Sequence, residues 1–114
     1  MDSERGATIV SLYSSRIISD GSTGYLVFGT YSHAIYVLRL DAAGSVVSLM
    51  RKIVDSNKRL AYEVIADGSG GAVIVFWNGV VTSLPQHLHA QRLDATFEPL
   101  WGEDGIRVSY VVSY

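Results

Sequence analysis

The sequence predicts an all-β protein. Short apolar stretches rich in valine, isoleucine and tyrosine alternate with glycine-containing turns, and only two prolines stand against eleven glycines. This alternation is typical of a chain built from many short strands. A second observation is an internal repeat that covers most of the chain, and it leads us to expect two four-stranded antiparallel units.

The first half of the chain contains five predicted strands. Residues 7–13 are rich in β-branched side chains and form an extra strand ahead of the repeat. The turns at Asp20–Gly24 and Ala42–Gly44 contain glycines, which adopt positive φ at little cost. The remaining predicted strands of this half are residues 16–19, 25–28, 33–41 and 45–54.

The second half follows the same order after a polar loop at residues 55–59. Its turn is Asp67–Gly71, and a longer loop at residues 79–86 contains Pro85. The predicted strands are residues 60–66, 72–77, 87–94 and 100–114. We therefore divide one domain into three parts: an N-terminal clasp strand (1–14), a first unit (15–56) and a second unit (57–114).

One segment leaves two alternatives open. Between Val46 and Ile65 the apolar residues recur at a spacing that also fits one face of a helix. Asp55-Ser-Asn interrupts that pattern with weak helix formers. The repeat places Leu49 at the position of Trp101, which belongs to a predicted strand. Strand is the preferred interpretation and helix is the alternative.

The repeat consists of two blocks in the same order. Asp20 and Asp67 are 47 residues apart, whereas Arg39-Leu-Asp-Ala recurs as Arg92-Leu-Asp-Ala after 53 residues. The six added residues lie in the predicted loop at 79–86, and repeated units commonly diverge by such loop insertions. This period, with four strands per unit, is the scale of a propeller blade.

Three motifs of the second unit support this interpretation: Asp67-Gly-Ser-Gly-Gly before an apolar strand ending at Trp77, His89-Ala-Gln-Arg-Leu-Asp-Ala, and Leu100-Trp-Gly-Glu-Asp-Gly-Ile-Arg-Val. Together they resemble the blade repeat of secreted bacterial β-propeller proteins. The first copy is degenerate, and Phe97 replaces a turn glycine that the first copy keeps as Gly44. The resemblance implies propeller-like blades and an extracellular location, and it implies no particular activity.

Two blades cannot close a propeller ring. Residues 25–28 and 72–77 are apolar at consecutive positions, so both faces of these strands need cover. We expect a homo-oligomer, for example three chains giving six blades, with an apolar interface that includes Leu26, Val73 and Val75. The alternatives are a fragment of a longer propeller and a β protein of another type.

Composition excludes several classes of function. With 9 basic and 11 acidic residues, the chain lacks the positive charge of a typical nucleic-acid-binding protein. The absence of cysteine excludes disulfides, thiolate zinc sites and a cysteine nucleophile. No apolar run approaches the ~18 residues that would suggest a membrane span, and residues 1–6 do not resemble a signal peptide.

No set of residues specifies a chemistry, so we expect no enzyme activity, no catalytic residue, no metal and no cofactor. His87 and His89 would share one face of a strand, but no third metal ligand is evident.

The preferred function is a binding or interaction module for carbohydrate, as in a lectin, or for protein. The alternative is a structural repeat that self-assembles without a ligand. The candidate ligand-binding residues lie in or beside the loops at one end of the blades: Tyr31, His33, Lys58, Arg59, Trp77, Asn78 and His87.

Overall fold

The computed structural model describes residues 12–55, 60–78, 87–102 and 105–108. Within these ranges the chain forms strands and turns and contains no helix. The strands in chain order are β1 (Tyr13–Ser19), β2 (Tyr25–Tyr31), β3 (Ala34–Leu40), β4 (Arg51–Asp55), β5 (Leu60–Ala66), β6 (Ala72–Asn78), β7 (His87–Leu93) and β8 (Ile106–Arg107).

The strands form two separate four-stranded sheets. Sheet I has the order β1-β2-β3-β4 and sheet II has the order β5-β6-β7-β8. Every pairing is antiparallel and joins strands that are consecutive in the chain. The prediction of an all-β chain with two four-stranded antiparallel units is therefore confirmed, and neither sheet closes on itself.

Strand register reproduces the sequence repeat. Leu26 lies opposite Arg39 in sheet I, and Val73 lies opposite Arg92 in sheet II. These partners are related by the same shifts of 47 and 53 residues that relate the motifs. The isolated bridges after the third strand of each sheet, Leu40 with Val46 and Leu93 with Pro99, also match. The two sheets are thus two copies of one hairpin pattern.

The helical alternative for residues 46–65 is wrong in the described part of this segment. Val46 forms a bridge, and β4 and β5 account for residues 51–55 and 60–66. Residues 47–50 lie outside any strand, and Leu49 is 84% exposed. The helix-like spacing arose because two strands and a loop happen to place apolar residues at similar intervals. Of the predicted clasp strand, residues 1–11 lie outside the described residues.

The sheets pack face to face. Side chains alternate between the two faces of each strand, and we call the face of each sheet that contacts the other sheet its inward face. The two inward faces form one apolar cluster, in which Phe28, Ile35 and Ile74 are fully buried. Burial of each such side chain stabilises the fold by roughly 1.5–3 kcal/mol. Leu26, which we expected at an interface between chains, is instead buried between the two sheets of one chain.

The first strands of the two sheets, β1 and β5, lie side by side. The guanidinium of Arg16 donates from Nε to Glu63 Oε1 at 3.1 Å and from Nη2 to Glu63 Oε2 at 3.3 Å. The hydroxyl of Tyr62 donates to the carbonyl oxygen of Ser14 at 2.6 Å, and burial raises the pKa of Tyr62 to about 12. These contacts fix one edge of sheet I against the matching edge of sheet II.

Candidate functional site

Aspartates build the four hairpin turns at one end of the sheets. Asp20 Oδ1 accepts hydrogen bonds from the backbone N–H groups of Ser22 at 2.8 Å and Gly24 at 3.1 Å. The same two bonds, from the residues two and four positions later, occur at Asp41, Asp67 and Asp94. An aspartate that satisfies its own turn in this way favours the turn over other conformations.

Two of these aspartates also bind the arginine of the Arg-Leu-Asp motif. Arg39 Nη1 lies 3.1 Å from Asp20 Oδ2, and Arg92 Nε lies 3.2 Å from Asp67 Oδ2. Hydrogen bonds from the backbone N–H groups of the turns, with a smaller contribution from the guanidinium, hold the pKa values of Asp20 and Asp67 below their usual range. The charged residues of the repeat motifs therefore join neighbouring strand ends within each sheet.

The last glycine of each Asp-Gly turn is required by close approach of the backbone. A Cβ atom on Gly71 would collide with the carbonyl oxygen of Leu93, and one on Gly24 would collide with that of Leu40. No larger residue fits without a shift of β7 or β3. The glycine pattern of Asp67–Gly71 thus has a complete explanation in hairpin packing.

Contacts between the sheets continue at this turn end. Arg39 Nη2 donates to the carbonyl oxygen of Ala95 at 2.7 Å, and the guanidinium lies 5.3 Å from the centre of the Phe97 ring. Phe97 has a φ of 70°, in the left-handed region where Gly44 (φ 87°) lies in sheet I. Its ring is buried in the core between the sheets, and this burial offsets the backbone strain.

Four basic residues lie close together in the sequence, Arg51, Lys52, Lys58 and Arg59, and the first two form ion pairs. Arg51 Nη1 lies 2.8 Å from Glu98 Oε2 and donates to the carbonyl oxygen of Thr96 at 3.1 Å. Lys52 Nζ lies 3.1 Å from Asp55 Oδ2. Lys58 and Arg59 lie outside the described residues.

Two of the predicted ligand-binding residues lie at the end of the sheets opposite the aspartate turns. Tyr31 ends β2, is 41% exposed and contacts Tyr36 edge to face, with ring centroids 6.4 Å apart. His33 is exposed in the turn before β3. Ser32 and His33 both have positive φ, 51° and 65°, as in the tight turns that favour Asn-Gly.

The matching end of sheet II carries three more of the predicted residues, Trp77, Asn78 and His87. Asn78 and His87 are paired across β6 and β7. Trp77 is 42% exposed, on the face of sheet II that points away from sheet I. Tyr31 lies on the face of sheet I that points away from sheet II, so these two aromatic residues are on opposite sides of the molecule. A shared role for them in one ligand site stays a prediction.

The histidine at position 89 has a packing role. Its ring stacks on Phe76, with centroids 5.7 Å apart and planes 18° apart, on the inward face of sheet II. Within the part of the chain that the structure describes, no three histidine or carboxylate side chains come close enough together to hold a metal ion.

Apolar side chains also line the two faces that point away from the other sheet, which we call the outward faces. On sheet I, Ile17 is 60% exposed and Tyr25 is 42% exposed. On sheet II, Ile65 is 65% exposed and Trp77 is 42% exposed. The continuous apolar runs of the sequence predicted two such faces. In the described part of the chain, the contacts within and between the hairpins do not account for these two apolar outward faces.

Comparison with known proteins gives no relative: no family model, curated protein or solved structure matches this chain. The described ranges contain no helix of the length and apolar character needed to cross a membrane.

Proposed function

We propose that the chain is a non-catalytic interaction module on a β-propeller-type scaffold, and that its first partner is a second copy of itself. The observation that carries this proposal is the apolar character of both outward faces. Exposed apolar faces of this kind mark interaction surfaces in soluble proteins.

The chemistry of the polar residues supports a non-catalytic role. The motif aspartates Asp20, Asp67 and Asp94 accept turn hydrogen bonds, and the motif arginines Arg39 and Arg92 bind two of these carboxylates. A general acid or base needs a titratable group directed at a substrate. The aspartates are directed at the backbone of their own turns. The arginines are directed at those carboxylates and, for Arg39, also at the carbonyl oxygen of Ala95.

Light scattering coupled to gel filtration tests self-association. The purified chain at micromolar concentration should elute with a mass above its 12.4 kDa monomer mass. Val75→Asp, on the outward face of sheet II, should elute as a monomer because it puts a charge on the association surface. Ser69→Asp, in an exposed turn, is the matched control and should associate like the original chain. A wild-type chain that remains monomeric at all concentrations contradicts the proposal.

A carbohydrate-binding site is the second candidate, and the Tyr31–Tyr36 pair favours it. Exposed aromatic rings at the ends of strands offer flat apolar surfaces with polar tips, which suit the faces of sugar rings. Binding of the chain to immobilised glycans, lost in Tyr31→Ala and retained in Tyr13→Ala, would support it. Tyr13 is a suitable control because it is exposed at the start of β1. Equal signals from both variants on every glycan would exclude the Tyr31 site.

A further inference from the structure

The two outward faces correspond, position by position, to the two faces that pack against each other inside the chain. The residues of the outward face of sheet II are the repeat equivalents of the inward face of sheet I. Thus Val75 corresponds to Phe28, which is fully buried, and the paired strands have the same register. Five apolar positions match on these faces: Ile18, Leu26, Phe28, Ile35 and Val37 in sheet I, and Ile65, Val73, Val75, Leu88 and Ala90 in sheet II. The same faces also match Thr30 with Trp77, and Arg39 with Arg92.

The reverse correspondence holds for the other pair of faces. The outward face of sheet I matches the inward face of sheet II, with Val27 at the position of the fully buried Ile74. The inward residues are Val64, Ala72, Ile74, Gln91 and Leu93, and the outward equivalents are Ile17, Tyr25, Val27, Leu38 and Leu40. Leu12 lies over Gly29 and supplies an apolar side chain where sheet II has Phe76.

From this correspondence, which rests on the proposed self-association, we infer that copies of the chain dock head to tail. The outward face of sheet II of one copy packs on the outward face of sheet I of the next and reproduces the contact that joins the sheets within each copy. Such a heterologous contact uses two different surfaces, and it can close into a ring. Propellers of four to eight blades would then correspond to about two to four copies.

Charge on the first strands agrees with this arrangement. Arg16 and Glu63 occupy equivalent positions in β1 and β5 and form an ion pair within the chain. In the head-to-tail contact Glu63 takes the place of Arg16, and Arg16 of the next copy takes the place of Glu63. Each contact between copies would therefore bring Glu63 of one copy to Arg16 of the next, so positive and negative charges would alternate around the ring. Exposed ion pairs contribute little affinity, but opposite charges at this position select the correct register.

The contact between copies has one weaker feature than the contact within a copy. Arg92 could reach the carbonyl oxygen of Ala42 in the next copy, as Arg39 reaches that of Ala95. It would find Gly44 where Arg39 finds the ring of Phe97. Because that buried ring is missing, the sheets of one chain should stay together under conditions that separate the copies.

Mixing two complementary variants tests the head-to-tail geometry. Val75→Asp blocks the outward face of sheet II, and Val27→Asp blocks that of sheet I. Each variant alone should be a monomer by light scattering, because every head-to-tail contact needs both faces. An equimolar mixture should contain a heterodimer of twice the monomer mass, since each variant retains the face that the other one needs.

A second pair controls for misfolding. Ile65→Asp and Ile17→Asp lie on the same two faces but change side chains that are 65% and 60% exposed, so the folded monomer should tolerate them. Circular dichroism checks that all four variants keep their sheets. Heterodimers in the mixtures support the inference. If the wild type associates while neither mixture forms a heterodimer, or if only one outward face proves necessary, the head-to-tail geometry is wrong although self-association stands. A monomeric wild type contradicts the proposed function itself.

Discussion

At the scale of single residues, the polar groups that recur in the two repeats serve the fold. Asp67 accepts hydrogen bonds from two turn N–H groups and from Arg92. The repetition of Asp and Gly was visible in the sequence, and a turn was the correct prediction. The ion pairs that join the Asp20 and Asp67 turns to the third strand of their sheets were not predicted, because the paired residues are 19 and 25 positions apart in the sequence. Only the strand register brings them together.

Because of the aspartate turns, the free energy of unfolding should fall as the pH is lowered into the acid range. Turn N–H groups or, for Asp94, chiefly the Thr96 hydroxyl lower the pKa values of Asp20, Asp67 and Asp94 in the folded chain. A carboxyl with a depressed folded pKa stabilises the fold above its unfolded pKa, and this contribution is lost as pH falls through the folded value. The free energy of unfolding should therefore be steady from pH 7 to about pH 5 and fall below about pH 4.

Replacement of Asp67 by Asn tests this cause. Asn keeps an oxygen acceptor for the turn but loses the charge that binds Arg92, so Asp67→Asn should be less stable than the wild type at pH 7. The difference between the two should shrink towards pH 3, which is below the ordinary pKa of an aspartate. The carboxyl of the unfolded wild-type chain is then largely protonated, so folding gains less from the charged form. Urea unfolding followed by circular dichroism at both pH values measures it. If the free energies of unfolding of the wild type and the variant differ by the same amount at pH 7 and pH 3, the charge of Asp67 does not contribute to stability.

At the scale of strands and turns, the sequence predicted most elements and missed their irregular ends. Strands β2, β3, β6 and β7 lie within or close to their predicted bounds because continuous apolar runs between glycines define them. The predicted strand at 45–54 begins later, at Arg51. Its earlier residues form only the bridge at Val46, because the chain leaves the ladder after the Asp41 turn. Apolar composition alone could not reveal that interruption.

The turn between β2 and β3 offers a direct gain in stability. Ser32 and His33 hold positive φ without being glycine, and Asn-Gly is the sequence that suits two such residues. The double change Ser32→Asn and His33→Gly should raise the free energy of unfolding by about 1 kcal/mol, measured by urea titration. His33→Ala is the control: it removes the imidazole but keeps the strain, so it should give no such gain. A destabilised Asn-Gly variant would mean that the side chains of Ser32 and His33 support the turn.

At the scale of the whole molecule, the sequence predicted two copies of one unit but not which of their faces meet. Leu26 and Val73 are repeat equivalents and equally apolar, yet Leu26 is buried against sheet II while Val73 faces away from sheet I. Only the packing of the two sheets decides between them. The same packing leaves the repeat equivalents of the two inward faces on the outside of the molecule, and the proposed head-to-tail contact rests on this correspondence. Of the predicted site residues that the structure describes, Tyr31 and Trp77 lie on opposite sides of the molecule and have no comparable geometric link.

The mass of the assembly as a function of concentration tests the central claim most directly. Sedimentation equilibrium over a hundredfold range of concentration should reveal one species at high concentration, with a mass that is a fixed whole multiple of 12.4 kDa. A ring of head-to-tail contacts stops growing once it closes, so further protein should not raise that mass. A mass that keeps increasing would indicate an open filament and contradict closure. A chain that stays at its monomer mass throughout would contradict the account as a whole.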